Sequence, residues 1–447
     1  MKKFLFIVLF LGICIRHGSA QNVAINNTGS VANASAMLDV SSSSKGLLLP
    51  RNTTSGIASI INPAKGLLIL DTTKNQLMMN VGTAAIPSWQ TVVFSSGWNL
   101  NGNAGTNPAN NFIGTTDVAP LNFRIKNARA GLIDSTLSNT GIGFRMLDSI
   151  TTGVHNVAIG YKSMISDSNG FYNTAVGSNT LRRNLSGSYN SAVGMQALTL
   201  NTTGYSNCAM GYASMFNDTS GYFNTASGVY SLTNNLSGAA NTSIGFYSMY
   251  FNTTGISNTA TGAYSLYSNG TGDYNVAVGL NAGASNDNAS NNTAVGTSAL
   301  FTNETGFSNV AVGFAALHNN NDRSNLVAVG DSALYNNSSG ATFSQQGTFN
   351  TALGSKTLYT NTTGSHNTAT GFSALKNNQT GSDNTAYGTY ALRMNTTASF
   401  NTALGSDALY NDTSGANNTA LGYSALLDNR NGNANTAAGT NALSYHL

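Results

Sequence analysis

Charge is what this sequence has least of. Lysine, arginine, aspartate and glutamate make up 8% of its 447 residues, against roughly a quarter in an ordinary soluble domain. The formal balance of +3 falls to zero once Lys2, Lys3 and Arg16 at the N-terminus are set aside. A neutral chain carries no net field for phosphate backbones or anionic lipid, so nucleic acid is not an expected partner. Sixteen thinly spread carboxylates do not supply the convergent pairs that glycan cleavage needs. The chain therefore reads as non-enzymatic, with no catalytic, cofactor-binding or metal-binding residues. Cysteine is nearly missing as well. Cys14 and Cys208 are the only two, and Cys14 lies within the first twenty residues, which read as a signal peptide; this excludes a disulfide within the mature chain. There is a single long apolar run, Phe4 to Ile15, too short to span a bilayer. With Lys2 and Lys3 before it and Gly18-Ser19-Ala20 after it, residues 1–20 read as a secretory signal peptide. Ile13 is bulky where a lipoprotein signal needs a small residue, so acylation of Cys14 is disfavoured.

What the sequence does have is repetition. Glycine recurs every seventeen residues from Gly143 to Gly330, slips by seven, and resumes from Gly354 to Gly439, giving eighteen rungs with an insertion near 341–347. Asparagine stands four before the glycine in every rung but one, where Leu326 replaces it. Alanine stands two before it, with Gly141 and Ser243 as exceptions, and Leu or Met stands four after it, broken by Gly283. Asn or Asp usually follows at seven after, and Gly at ten after. A seventeen-residue unit cannot bury its own apolar stripe, but stacked copies can, which is the logic of a solenoid. Asn-Thr-Ala-Val-Gly alternates as a short strand does. Asn-x-Thr-Gly is turn chemistry, and one Asn per rung can form an amide ladder. The Ser-x-x-Leu-x-x-Asn portion reads either as extended chain or as one helical turn; both give a rod of roughly 85 Å at the ~4.8 Å spacing of paired strands.

Asn-Thr/Ser-Ala-Val/Ile-Gly, two free positions, Ser/Ala and a later glycine resemble the head repeats of YadA-type trimeric adhesins, in a variant about three residues longer. The resemblance implies a parallel β-roll, three chains side by side, on the outer surface of a Gram-negative bacterium. Ala34–Arg51, Gly66–Gly82 with Trp89, and Phe112–Ile125 resemble the leader of secreted tail-fibre-like proteins of Bacteroidetes-type bacteria. That implies surface recognition in the manner of a phage tail fibre. The expected organisation is a signal peptide at 1–20, a β-rich leader or cap at 21–138, and a β-solenoid at 139–447. In the leader, Gly66 to Val81 alternates around Asp71–Asn75, which predicts a hairpin with a five-residue turn. Trp89 and Trp98 are its candidate core. The chain stops at Leu447, eight residues into a rung, with neither the chaperone ending nor the β-barrel anchor of such families; this reads as a truncated product.

Candidate site residues divide into structural and surface groups. Asp167, Asp218 and Asp412 replace Asn in turns. His155, His318, His366 and His446 stand alone, so no zinc site with three or four ligands is expected. Cys208 reads as a small packed thiol. Aromatics follow the turn glycine (Phe171, Tyr172, Tyr189, Tyr205, Tyr222, Phe223, Tyr274, Phe307) and the main glycine (Tyr161, Tyr212, Phe246, Phe314, Phe372, Tyr423). They serve either as a stripe for glycans or matrix proteins, or as packing between rungs or protomers. Threonine three before the glycine suggests an ice-binding array, but Val157, Cys208, Val276, Val310 and Val327 break it. The functional expectation is a secreted or surface fibre, homotrimeric, acting as an adhesin through a repeated weak site. The alternatives are a tail-fibre-like recognition protein and, less favoured, a polysaccharide-active solenoid enzyme.

Overall fold

The computed structural model describes residues 22–92, 107 and 112–445. The expected signal peptide, Trp98 and His446 lie outside them. The chain divides into two compact units, Met1–Ile113 and Gly114–Leu447.

In the first unit, β1 (Val23–Asn26) pairs in parallel with β2 (Leu38–Ser41). A second sheet runs in the order β3 (Arg51–Asn52), β4 (Leu68–Asp71), β5 (Gln76–Asn80), β6 (Trp89–Thr91), with α1 (Thr54–Ala58) beside it. The expected hairpin is β4–β5, but Asp71 pairs with Gln76, so its turn is one residue shorter than the sequence suggested. The Asp71 carboxylate is the reason: it accepts the N–H groups of Thr73 (2.9 Å) and Lys74 (3.2 Å) and the Thr54 hydroxyl (2.7 Å), fixing the turn from within the strand. Ile57, Ile69 and Met78 form the core, and Trp89 packs against it.

The second unit opens with a hairpin, β7 (Leu121–Ile125) and β8 (Ala128–Asp134), turned by Lys126 and Asn127 in the left-handed region (φ 47° and 59°). The sequence reading placed these strands in the leader. Instead β8 pairs antiparallel with β9 (Asn139–Ile142), the strand of the first rung, and caps it. Leu132 of β8 is buried in the same core as the coil.

From β9 onward the strands of successive rungs pair in parallel up to Thr436–Ala438, each residue opposite its counterpart seventeen later, as Thr174, Ser191 and Cys208 are, except at the insertion, where Val327 stands opposite Thr351. No pairing joins the last strand to the hairpin among the described residues, so the ladder is open rather than closed on itself. Each strand after β9 is three residues long with its central residue buried, alanine in all but Thr242–Ile244, where it is Ser243. The chain beyond each glycine forms two consecutive β-turns, not a helical turn. In one rung the N–H of Ala197 bonds to the carbonyl of Gly194 (3.3 Å), and that of Asn201 to Leu198 (3.4 Å). Even these turns bond between rungs, as when Leu181 N–H reaches the carbonyl of Ala197 (3.0 Å). The Leu/Met column is buried in every rung but the last, where Leu443 is exposed, and sits at positive φ: Leu181 at 48°, Met215 at 50°, Leu232 at 53°. A left-handed bulky residue costs about 1–2 kcal/mol; burying its side chain returns about 1.5–3 kcal/mol, which requires a neighbouring rung. The rung glycines are obligatory. Gly228 has φ 146°, and a Cβ there would lie 2.4 Å from the carbonyl oxygen of Gly245.

The inserted residues leave this frame intact. Val327–Val329 pairs in register with Thr351–Leu353, and Asn361 still bonds to Asn337 across the long step (3.1 Å). The extra chain loops out between Asn337 and Gly347.

Candidate functional site

Two surfaces and one interior line of the coil carry the polar and aromatic chemistry. The first surface is the outer face of the strand ladder. Alternation sends the central alanine inward and its neighbours outward. In the column immediately before the rung glycine there is no charged residue in any rung. Ile159, Val193, Met210, Ile244, Val278 and Leu353 in this column are exposed. Such an uncharged and mostly apolar strip, interrupted at Ser227, Thr261 and Thr370, is unusual on a soluble surface. Cys208 lies on the same face. It is exposed rather than packed, a correction to the sequence reading, because position three before the glycine points away from the alanine side. The interrupted threonine column shares that outward position.

The second surface is aromatic. His155, Tyr172 and Tyr189 stack on successive rungs (centroids 4.8 and 5.3 Å, interplanar 6° and 12°), and Phe171 meets Tyr189 edge-on. Tyr205 and Tyr222 stack at 5.1 Å and 3°. A second set of stacks falls in columns that the sequence reading missed, two and five after the glycine. Tyr230, Tyr247 and Tyr264 follow one another at 4.9 and 5.7 Å, and Tyr250 stacks on Tyr267 at 5.7 Å. Their signal was present as aromatics recurring at seventeen. Phe301, His318, Tyr335 and Tyr359 form a further stack, and Phe349 stacks on His366. The described histidines are thus members of ring columns on separate rungs. Ring faces within these columns are covered by the next rung, which leaves mainly edges to a ligand. This geometry favours packing between rungs over a platform on which sugars lie flat.

The interior line is made of asparagine. Each Asn four before the glycine is buried except Asn435 in the last rung, which is half-buried; Asn241 Oδ1 accepts the N–H of Asn258 (3.0 Å), and its Nδ2 donates to the carbonyl of Gly255 (2.8 Å). This column braces side chain to backbone and also carries the expected amide ladder, as Asn190 Nδ2 donates to Asn173 Oδ1 and Asn241 Nδ2 to Asn224 Oδ1 (3.2 Å each). A second amide-to-amide ladder, with mostly shorter bonds, runs in the column seven after the glycine, which the sequence suggests only as turn chemistry. There Asn252 Nδ2 donates to Asn235 Oδ1 (2.8 Å), and Asn269 to Asn252 (2.9 Å).

Asp167, Asp218 and Asp412 occupy this ladder and are fully buried. Asp218 Oδ1 takes the place of the amide oxygen and accepts the Gly221 N–H (2.7 Å). Its Oδ2 stands where an Asn would present its donor nitrogen, and has no partner; Asn201 Oδ1, the acceptor next in the ladder, also has none. Two buried acceptors facing one vacancy call for a proton. Burial pushes the Asp218 carboxyl up to about 7, against hydrogen bonds from Gly221, Asn235, Ser220 and Thr219. Asp412 is likewise raised by burial to about 7 and Asp167 to about 6; Asn395 Oδ1, before Asp412, is again unpartnered. These carboxyls lie on separate rungs inside the coil, and no group of three or more His, Cys, Asp or Glu able to hold a metal occurs among the described residues. No helix among the described residues is long and apolar enough to cross a membrane.

No curated protein and no solved structure gives a significant match to the chain. Residues 24–106, essentially the first compact unit, match the family model of the phage tail like trimerisation region, so that a phage-tail-like N-terminal module precedes a seventeen-residue-repeat β-solenoid.

Proposed function

We propose that this chain is a non-enzymatic fibre subunit, exported to the outer surface of a Gram-negative bacterium or secreted from it, that assembles as a homotrimer and presents its coil for recognition of another surface. The observation carrying this reading is the combination of a trimerisation-type N-terminal match with a column on the outer strand face that is uncharged in every rung and apolar in all but three, at Ser227, Thr261 and Thr370. Three copies placed face to face along that column bury what one chain exposes. A side-by-side trimer of rolls, in the manner of YadA-type heads, is one arrangement that meets this demand, and an adhesin acting by repetition is its functional counterpart. The tail-fibre reading is favoured over a purely head-like one by the identity of the matched N-terminal region. The test is the solution mass of the mature chain by light scattering. Three chain masses are expected, and a monodisperse monomer at micromolar concentration refutes the proposal.

A further inference from the structure

Near neutrality of the whole chain conceals a segregated charge. Arg124, Lys126 and Arg129 on the hairpin, with Arg145 of the first rung, line one hollow of about 440 Å³. Arg145 also belongs to a second group. The Tyr161 hydroxyl is held below its ordinary value by a hydrogen bond from Lys162 and by the charges of Lys162, Arg145 and Arg182, burial opposing. The two groups therefore adjoin, and six cations meet at this end of the coil. The one carboxylate lining the hollow, Asp148, pairs with Arg145 Nε (2.8 Å), leaving a surplus of five positive charges. Several of these cations are held by their own neighbours. Arg124 Nη1 bonds to Asn127 Oδ1 (2.9 Å), Arg129 Nη1 bonds to the Leu147 carbonyl, and Lys162 Nζ lies 4.9 Å from the Tyr161 ring centre. Arg124, Lys126, Arg145 and Arg182 are exposed. In a chain with so few charges, such a concentration is a local field that the net balance does not report.

We propose that this end of the coil binds an acidic polysaccharide, whose carboxylate or sulfate groups are held by Arg124, Lys126, Arg145, Lys162 and Arg182. Guanidinium forks suit both anions. Arg145 and Lys162 occupy the same column one rung apart, ~4.8 Å at the spacing of paired strands, close to the advance of one pyranose residue along a linear glycan. Single-stranded nucleic acid would need open ring faces for its bases, but Tyr161 is stacked against Phe144 at 6.3 Å and 11° and carries Lys162 over its ring. The proposal rests on the reading of the coil as a recognition fibre for its setting, while the site itself belongs to a single chain.

The experiment measures binding of the full mature chain at low salt to polygalacturonate, heparin, neutral dextran, poly(dT), and vesicles of equal parts phosphatidylglycerol and phosphatidylcholine, with solution mass recorded in parallel. Saturable, salt-sensitive binding to heparin or polygalacturonate but not to dextran is expected, and the preferred of the two identifies the anion. The combined Lys126→Ala, Lys162→Gln, Arg182→Gln variant should bind about tenfold more weakly, since each exposed ion pair contributes ~0.2–1 kcal/mol. Its circular dichroism and mass should be unchanged. Lys356→Gln with Lys376→Gln, far along the coil, should bind as the parent does. Absence of binding to both acidic polysaccharides, binding unaffected by the triple substitution, or tighter binding to poly(dT) or vesicles overturns the proposal. A monomeric mass with intact binding removes only the trimeric fibre.

Discussion

Replacing Asp218 by Asn should stabilise the coil at alkaline pH and do little at acid pH. The buried carboxyl keeps its proton up to about 7, against an ordinary value of 3.8. A folded state that holds a proton the unfolded chain has lost becomes less stable as pH rises between those two values, and the cost is complete above the upper one. The displacement corresponds to roughly 4 kcal/mol at ~1.4 kcal/mol per pH unit. Below the lower value both states are protonated, and the cost vanishes. Asn at 218 carries no charge to desolvate, and its Nδ2 would reach Asn201 Oδ1 as Asn201 Nδ2 reaches Asn184 Oδ1 (2.8 Å). The substitution should therefore gain up to ~4 kcal/mol at pH 8 and within ~1 kcal/mol at pH 4. A stacked array unfolds partly rung by rung, so one global midpoint is an inadequate measure. Native-state hydrogen exchange of the Gly221 and Asn224 amides at the two pH values is the appropriate assay. An equal gain at both pH values, or a loss at pH 8, would show that the carboxyl is ionised and satisfied in the folded protein, and would refute the reasoning.

Other expectations concern the frame and the outer face. Gly228→Ala places a methyl against the Gly245 carbonyl at positive φ; strain of about 1–3 kcal/mol plus the clash should open rungs 211–245 selectively, seen as local loss of exchange protection. Asn241→Ala strands the Asn258 N–H and removes one of the two amide donors to the Gly255 carbonyl, at about 1–3 kcal/mol for the orphaned N–H, measurable by urea titration. Ile244→Asp together with Val278→Asp charges exposed positions, so each chain should stay folded by circular dichroism while the light-scattering mass drops to one chain. Cys208 is a native reporter for the same face: its reaction with a thiol reagent should be slow in the assembled protein and fast in that double variant.

The architecture of the coil was legible because stacking imposes the same demand at every seventeenth residue. Alanine, asparagine, leucine and glycine columns each name a physical requirement: a methyl-sized gap, a backbone acceptor, an offset for left-handed strain, and a carbonyl contact that admits no Cβ. What escaped reading was directional. Composition could not say that Asn184 and Asn201 form a second amide-to-amide ladder beside that of Asn173 and Asn190. Both columns are turn-compatible, and only their pointing differs. Leu121–Ile125 and Ala128–Asp134 do not share the repeat, so nothing in the period assigned them to the coil they cap. The ring columns of Tyr230 and Tyr250 were hidden behind the more obvious aromatics beside the glycines. The basic end was masked by averaging, since a sum over the whole chain cancels charges that distance keeps apart.

The loop between Asn337 and Gly347 shows how forgiving this scaffold is at one corner. Seven surplus residues enter there, the strand register holds, and the interior amides on either side still find each other. A protein built on this plan can acquire new outward segments at that corner without renegotiating its core. Variation confined to such corners would give related fibres different targets on a common shaft, and engineered peptides could be mounted there one storey at a time.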